Sequence, residues 1–334
     1  LSLYSELITF CRVAVGSQFE STRQRAYIAG TCTLTERIQN MQLKNIVRSI
    51  RLVAPAALLG CSMSLLAADK PNILVIFTDD IGIWNINAYA RGMMSSRTPN
   101  IDRIAENGML FTDYYAEPSC TAGRSAFLTG QYPVRTGMHT VGLPGGPKGL
   151  TQDPPTLPEL LKLQGYTTGQ FGKNHLGDRD DFLPTMHGFD EYWGWLYHLN
   201  AMEYVEDPDW PTDGTLKDFA PRNVIHAWAQ PNGTQKIEDD GPLPIERMRT
   251  LDDEVNKHTI DFITRAVEAD KPFFTWYCPS RGHVWTHLSE QYEAMLGQNG
   301  WGLQEVVMKD LDDHVGVILQ TLKDLGVADN TIIM

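Results

Sequence analysis

Asn72-Ile73-Leu74-Val75-Ile76-Phe77 is an unbroken apolar, β-branched run that ends in Thr78-Asp79-Asp80. A strand with water on one face alternates polar and apolar residues, whereas a strand with no alternation is covered on both. Such a strand needs helices on each face of its sheet, so the chain is expected to be α/β, with a mostly parallel central sheet flanked by helices on both faces. The remaining pattern agrees. Thr98-Pro99 reads as the start of a helix that Gly108 closes, and residues 110–115 read as a strand. Further helices are expected at 156–165, 252–269 and 304–325, and strands just before Lys173, at 272–278 and from Thr331. Residues 203–244 are rich in Pro, Gly and Asp with little period, and are expected to form a long insertion over one face.

Composition narrows the function. A hydrophobic content of 42% excludes a disordered chain. A net charge of −13 argues against a nucleic-acid partner. It leaves room for a small anionic substrate in a local cationic pocket. Five cysteines are too few for a disulfide scaffold.

Residues 1–40 precede the first methionine, Met41, and are expected not to be native coding sequence. Residues 41–68 have the basic start (Lys44, Arg48, Arg51), apolar middle and small-residue end of a secretory signal. The apolar run is shorter than the roughly 20 residues of a membrane span. A periplasmic or secreted protein with no stable transmembrane span is therefore expected. Leu58-Leu59-Gly60-Cys61 also resembles a lipobox, so lipidation at Cys61 is the lesser alternative. The folded domain is then 69–334. A chain that stops inside an apolar strand is expected to lack about a third of its native sequence, its C-terminal part. The helix face around Leu311, Ile318 and Leu322 would be left exposed, and Asp79 and Asp80 would face each other.

Three segments carry chemistry. Asp79-Asp80 sits at a strand end, where open α/β sheets place ligands, and two carboxylates suit Ca²⁺ or Mg²⁺. A strand-end turn is the plainer alternative. Ser119-Cys120-Thr121-Ala122-Gly123-Arg124 opens an apolar helix, where a cysteine beside an arginine favours anionic chemistry. A small residue buried at a turn would look the same. Lys173 and His175, two apart after a strand, point to one side as an anion clamp and proton donor, or else lie in a solvated loop.

Together, Asp79-Asp80, Cys120-x-Ala122-x-Arg124 leading to Leu128-Thr129-Gly130, and Gly172-Lys173-x-His175-Leu176-Gly177 resemble the type I sulfatases of the alkaline phosphatase superfamily. Thr98-Pro99-Asn100-Ile101-Asp102 and Gly188-Phe189-Asp190 resemble further landmarks of that family. The resemblance covers roughly residues 70–334 as one domain. It implies the alkaline-phosphatase-like sulfatase fold and a formylglycine made from Cys120 by a formylglycine-generating or anaerobic maturation enzyme. One oxygen of the hydrated aldehyde attacks sulfur, and the other later expels sulfate. It implies Ca²⁺, with Mg²⁺ as an alternative, held by Asp79, Asp80 and the modified Cys120. Arg124 and His175 would contact the formylglycine, and Lys173 the sulfate. His283, which follows the strand at 272–278, would protonate the leaving oxygen and is preferred to His287 by position. His139, His187 and His314 are expected to be structural, with His314 on the polar side of its helix. The family's remaining Asp-Asn pair and second lysine would fall beyond Met334. Ala122 and Gly123 depart from the commonest motif, which has Pro and Ser there, and Phe171 and Asn174 depart from the second. The implied substrate is an aryl sulfate, another sulfated small molecule or a sulfated polysaccharide. Trp193, Trp195 and Tyr197 could stack on a sugar or belong to the core. A phosphonate monoester or phosphodiester hydrolase, and a non-catalytic binding protein that keeps the Cys120 thiol, are the alternatives.

Overall fold

The computed structural model describes residues 70–94 and 97–334. The expectations for 1–40, for 41–68 and for Cys61 lie outside the described residues. From Pro71 to Met334 the chain forms one unit around a seven-stranded sheet. The strands are β1 (Asn72–Ile76), β2 (Thr167–Gly172), β3 (Glu191–Gly194), β4 (Ile225–Ala229), β5 (Gln235–Asp239), β6 (Phe273–Cys278) and β7 (Thr331–Ile333). Their order is β5-β4-β3-β2-β6-β1-β7. The β1–β6, β1–β7, β2–β3 and β2–β6 pairings are parallel, and β3–β4 and β4–β5 are antiparallel. The sheet is thus mostly parallel, with an antiparallel hairpin at one edge.

Helices α1 (Pro99–Glu106), α2 (Cys120–Thr129), α3 (Leu157–Leu163), α4 (Leu251–Glu268) and α5 (Leu303–Asp324) flank it. Strand β6 is buried along its whole length. Its period of two divides its side chains between two cores. Phe273 and Tyr277 pack with Val255, Phe262 and Ile263 of α4. Phe274, Trp276 and Cys278 pack with Val75 of β1, Leu128 of α2, and Leu157 and Leu161 of α3. Each large apolar side chain so covered contributes about 1.5–3 kcal/mol. This two-sided burial is why neither β1 nor β6 alternates in sequence.

Thr98 stands at the start of α1, but its hydroxyl donates to Asp102 Oδ1 (2.9 Å) and does not cap the helix. The backbone N–H groups of Asn100 and Ile101 donate instead to Asp312 of α5, each at 2.9 Å. A long-range carboxylate therefore supplies the cap. Helix α2 has the local form: Ser119 Oγ accepts from the Ala122 N–H (3.2 Å), and Gly130 closes the helix at φ 62°.

Several expectations are corrected. Residues 110–115 form no strand, and Phe111, Tyr114 and Tyr115 are exposed. Among the described residues no strand pairs with them, so their β propensity has nothing to act on. The stretch 203–244 is not only an insertion, because it contributes β4 and β5 to the sheet. Leu311, Ile318 and Leu322 are buried rather than exposed, because α1 and α4 pack on α5. His314 is buried rather than on a polar face, since it lies between Asp310 and Asp253. Trp193, Trp195 and Tyr197 belong to the core.

Candidate active site

The C-terminal ends of β1, β6 and β2 lie side by side, with Ile76 opposite Tyr277 and Gly172 opposite Cys278. Asp79 and Asp80 follow β1, Lys173 and His175 follow β2, and His283 follows β6. The close approach of β2 to β6 depends on Gly172. At φ 104° a Cβ there would lie 1.9 Å from the Cys278 carbonyl oxygen, which accepts the Lys173 N–H at 3.0 Å.

Asp79 is 5% exposed and is ion-paired with Lys173, itself 2% exposed; Arg124 NH2 lies 3.9 Å from its other oxygen. The two carboxylates therefore do not face each other. Asp79 turns inward to cations, while Asp80, at φ 57°, turns outward with its side chain 59% exposed. Burial alone would raise the Asp79 pKa, but Lys173 and Arg124 outweigh it and hold the carboxyl well below its ordinary range. Burial pulls the Lys173 ammonium below its ordinary value against the attraction of Asp79.

Arg124 is fully buried on α2. Its NH1 donates to the Lys173 carbonyl (2.9 Å), and its guanidinium lies 5.3 Å from the Phe77 ring centroid. Burial opposes its charge, but its neighbours, the Asp79 carboxylate among them, outweigh this, and its pKa is raised. Arg124 Nε and NH2 have no hydrogen-bond partner among the described residues. Buried donors of this kind can be satisfied by an anion. Cys120, half-buried and unpaired at the first position of α2, lies within electrostatic reach of both Arg124 and Lys173.

His175 is buried in a left-handed conformation (φ 59°), not in a solvated loop. Its Nε2–H donates to the Gly142 carbonyl (3.0 Å), which fixes the tautomer and leaves Nδ1 unpartnered. Burial first, and Lys173 second, push its pKa well below the ordinary imidazole value, so the ring is neutral. Thr121 Oγ1 accepts from the Gly142 N–H and donates to the His175 carbonyl, each at 3.1 Å. His283 Nε2 lies 3.6 Å from Asp80, whereas His287 turns away to Glu203 (2.8 Å).

His198 escaped the sequence reading. Its ring lies between His175 (centroids 5.5 Å apart) and His283 (5.2 Å apart, within 6° of parallel). Its Nδ1 accepts the Ala201 N–H at the start of a helical turn, and burial with Lys173 lowers its pKa to about 4. The only signal available was a histidine in an N-cap position after a strand.

The donor type at this edge fits a hard divalent cation, since Asp79 and Asp80 are carboxylates. The number is short: among the described residues no group of three or more His, Cys, Asp or Glu side chains could hold a metal.

Strand ends of an α/β sheet and the start of α2 thus bring two buried cations, a buried carboxylate and a cysteine together. Residues 71–334 match the family described as Sulfatase. The chain is 34% identical over 298 residues to N-acetylgalactosamine-6-sulfatase of Sus scrofa, covering 84% of this chain and 52% of that protein. It is 32% identical over 291 residues to arylsulfatase A of Bos taurus, covering 82% and 53%. Among solved structures it resembles the PsFucS1 sulfatase from Pseudoalteromonas sp. (TM-score 0.66, 27% identity, 79% of this chain and 54% of that one). The chain belongs to the sulfatase family, and it spans about half the length of the curated relatives it matches.

Proposed function

We propose that this site hydrolyses sulfate esters through a formylglycine made from Cys120. The observation that carries the proposal is the convergence of three sequence-distant segments on one buried cluster: Asp79, Cys120 with Arg124, and Lys173 with His175. When formed, the formylglycine supplies a hydrated aldehyde as the oxygen nucleophile. The chain's own residues do the rest. Arg124 and Lys173 neutralise anionic oxygens in a site shielded from water, where such charges act most strongly. Asp79 holds both cations in place. His175, neutral and tethered to Gly142, offers its Nδ1 lone pair beside the helix that carries Cys120. His283 commits Nδ1–H to the Val284 carbonyl (2.7 Å), so it acts as the imidazolium, whose second proton, on Nε2 beside the Asp80 carboxylate, passes to the leaving oxygen. Asp79 and Asp80 are the carboxylates that would contribute to a Ca²⁺ or Mg²⁺ site, which would supply a Lewis acid for a sulfate oxygen, although here Asp79 is paired with Lys173 and Asp80 turns outward, so the two do not converge.

The substrate class is a sulfated carbohydrate, which the name of the porcine relative supports. Among the described residues no helix is long and apolar enough to cross a membrane. Secretion and a dedicated maturation enzyme remain parts of this reading.

The test is mass spectrometry of the Cys120 peptide from the full gene product, with hydrolysis of aryl and sugar sulfates by the wild type and by Cys120→Ala. An aldehyde at Cys120 and loss of turnover in the variant are expected. Turnover that survives Cys120→Ala would remove the nucleophile assignment, and preference for an aryl phosphonate would move the protein to the phosphonate reading.

A further inference from the structure

The segment that carries His283 is fixed from behind by charges the proposed chemistry does not use. Arg281, two residues earlier, is 1% exposed. Its Nε bonds to the Asp310 carboxylate of α5 and lies 3.8 Å from Asp252 Oδ2 of α4. Its NH2 donates to the Arg249 carbonyl at 2.9 Å. Asp252 in turn accepts the backbone N–H groups of Ser280 (2.8 Å) and Arg281 (3.2 Å). Asp310 is also paired with His314, whose Nε2 reaches Asp253 at 3.0 Å. The two long helices thus hold the stretch after β6 by both side chain and backbone.

The front of the same stretch is equally constrained. Gly282, at φ 109°, packs so closely that a Cβ would lie 2.7 Å from the Asp79 carbonyl oxygen and 2.2 Å from the Ile81 side chain. His283 follows directly on these two held residues, stacked on His198, with Nε2 3.6 Å from Asp80. A buried ionic cluster is a poor device for stability alone, because well-packed apolar residues of similar volume commonly do as well or better. Such a cluster can specify the position of what it holds.

We propose that Arg281, through Asp252 and Asp310, is a positioning residue that sets where His283 Nε2 meets the leaving oxygen. The proposal rests on the reading of His283 as proton donor. It predicts a specific signature. A nitrophenolate leaves without help, whereas a sugar alkoxide must be protonated as it departs. Misplacing the donor therefore costs turnover only where the leaving group is poor.

The experiment compares Arg281→Lys, Asp252→Asn, His283→Ala and Arg281→Lys/His283→Ala in the full gene product on nitrophenyl sulfate and on a sugar sulfate. Folding is checked by far-UV circular dichroism and Tm. Arg281→Lys should lower kcat on the sugar sulfate about 10–100-fold and change the nitrophenyl rate far less. Added to His283→Ala it should cost nothing more on the sugar sulfate, because the group it positions is already gone. If Arg281→Lys does not fold, Asp252→Asn carries the same comparison. Equal losses on both substrates, or losses that add to those of His283→Ala, would overturn the positioning role. If His283→Ala itself shows no dependence on the leaving group, the proton-donor reading fails first, and the role of Arg281 falls with it.

Discussion

Replacing Lys173 by methionine is expected to destabilise the fold and to abolish most turnover, and the two effects can be separated. The side chain is one atom shorter but apolar and unbranched, while Asp79 loses its direct partner and retains only Arg124 NH2 at 3.9 Å. Removing one partner of a buried pair leaves an uncompensated charge, at a cost of about 3–5 kcal/mol. For a domain of this size that corresponds to a fall in Tm of roughly 6–20 °C by thermal unfolding. Adding Asp79→Asn removes the stranded carboxylate, so the double variant should recover most of the loss in Tm while staying inactive. The expected kinetic loss for Lys173→Met is on the order of 10²-fold or more, because a cation facing the transferred group acts where charge moves. The same pair fixes the acid response. The folded-state pKa of Asp79 is depressed, so its contribution is complete above the unfolded value of 3.8 and is lost as pH falls below that. A single variant with wild-type Tm, or a double variant no more stable than Lys173→Met alone, would refute the buried-pair argument.

Cys120→Ala should leave Tm nearly unchanged, because the residue is half-buried at the first position of α2 and alanine suits a helix; calorimetry beside the activity assay checks this. Gly172→Ala should fail to give soluble folded protein, since its Cβ has no room against the Cys278 carbonyl and its φ disfavours a side chain; soluble yield and circular dichroism are the readouts. Burial alone would lower the His314 pKa, but the hydrogen bond to Asp310 and the charge of Asp252 raise it to about 9. Its contribution, roughly 3 kcal/mol, is therefore full below pH 6.5 and is lost as pH rises through 9. Denaturant unfolding at pH 6 and pH 9.5 should show that loss in the wild type and a flatter profile in His314→Gln.

What could be read in the sequence was whatever is local. The unbroken runs at β1 and β6 announced two-sided burial, and the polar residues just after them marked the edge where Asp79 and Lys173 meet. What could not be read depends on partners far along the chain. The cap of α1 comes from Asp312, more than 200 residues away. Arg281 gathers carboxylates from two helices, and no spacing links Asp252 with Asp310. His198 stands beside the rings of His175 and His283, which come from other segments of the chain. The β4–β5 hairpin was missed for a different reason. Asn232-Gly233 is a turn signal, but His226 and Trp228 stack on each other along one face and leave no clean apolar alternation. Residues 110–115 show the converse, a strong β propensity with no strand beside it among the described residues.

The hairpin also decides how the sheet ends. Without β4 and β5, the border would be β3, Glu191–Gly194, all of it buried and half of it aromatic. A bare border of that kind is a template for a strand from another molecule. Instead the outermost strand is Gln235-Lys236-Ile237-Glu238-Asp239, with Lys236, Glu238 and Asp239 exposed and Lys236 paired to Glu238 at 2.5 Å. Any strand from a neighbouring molecule that tried to continue the ladder there would have to match this row of charges and strip water from it. The margin that lies farthest from Asp79 in the strand order is therefore a poor template for a strand from another molecule.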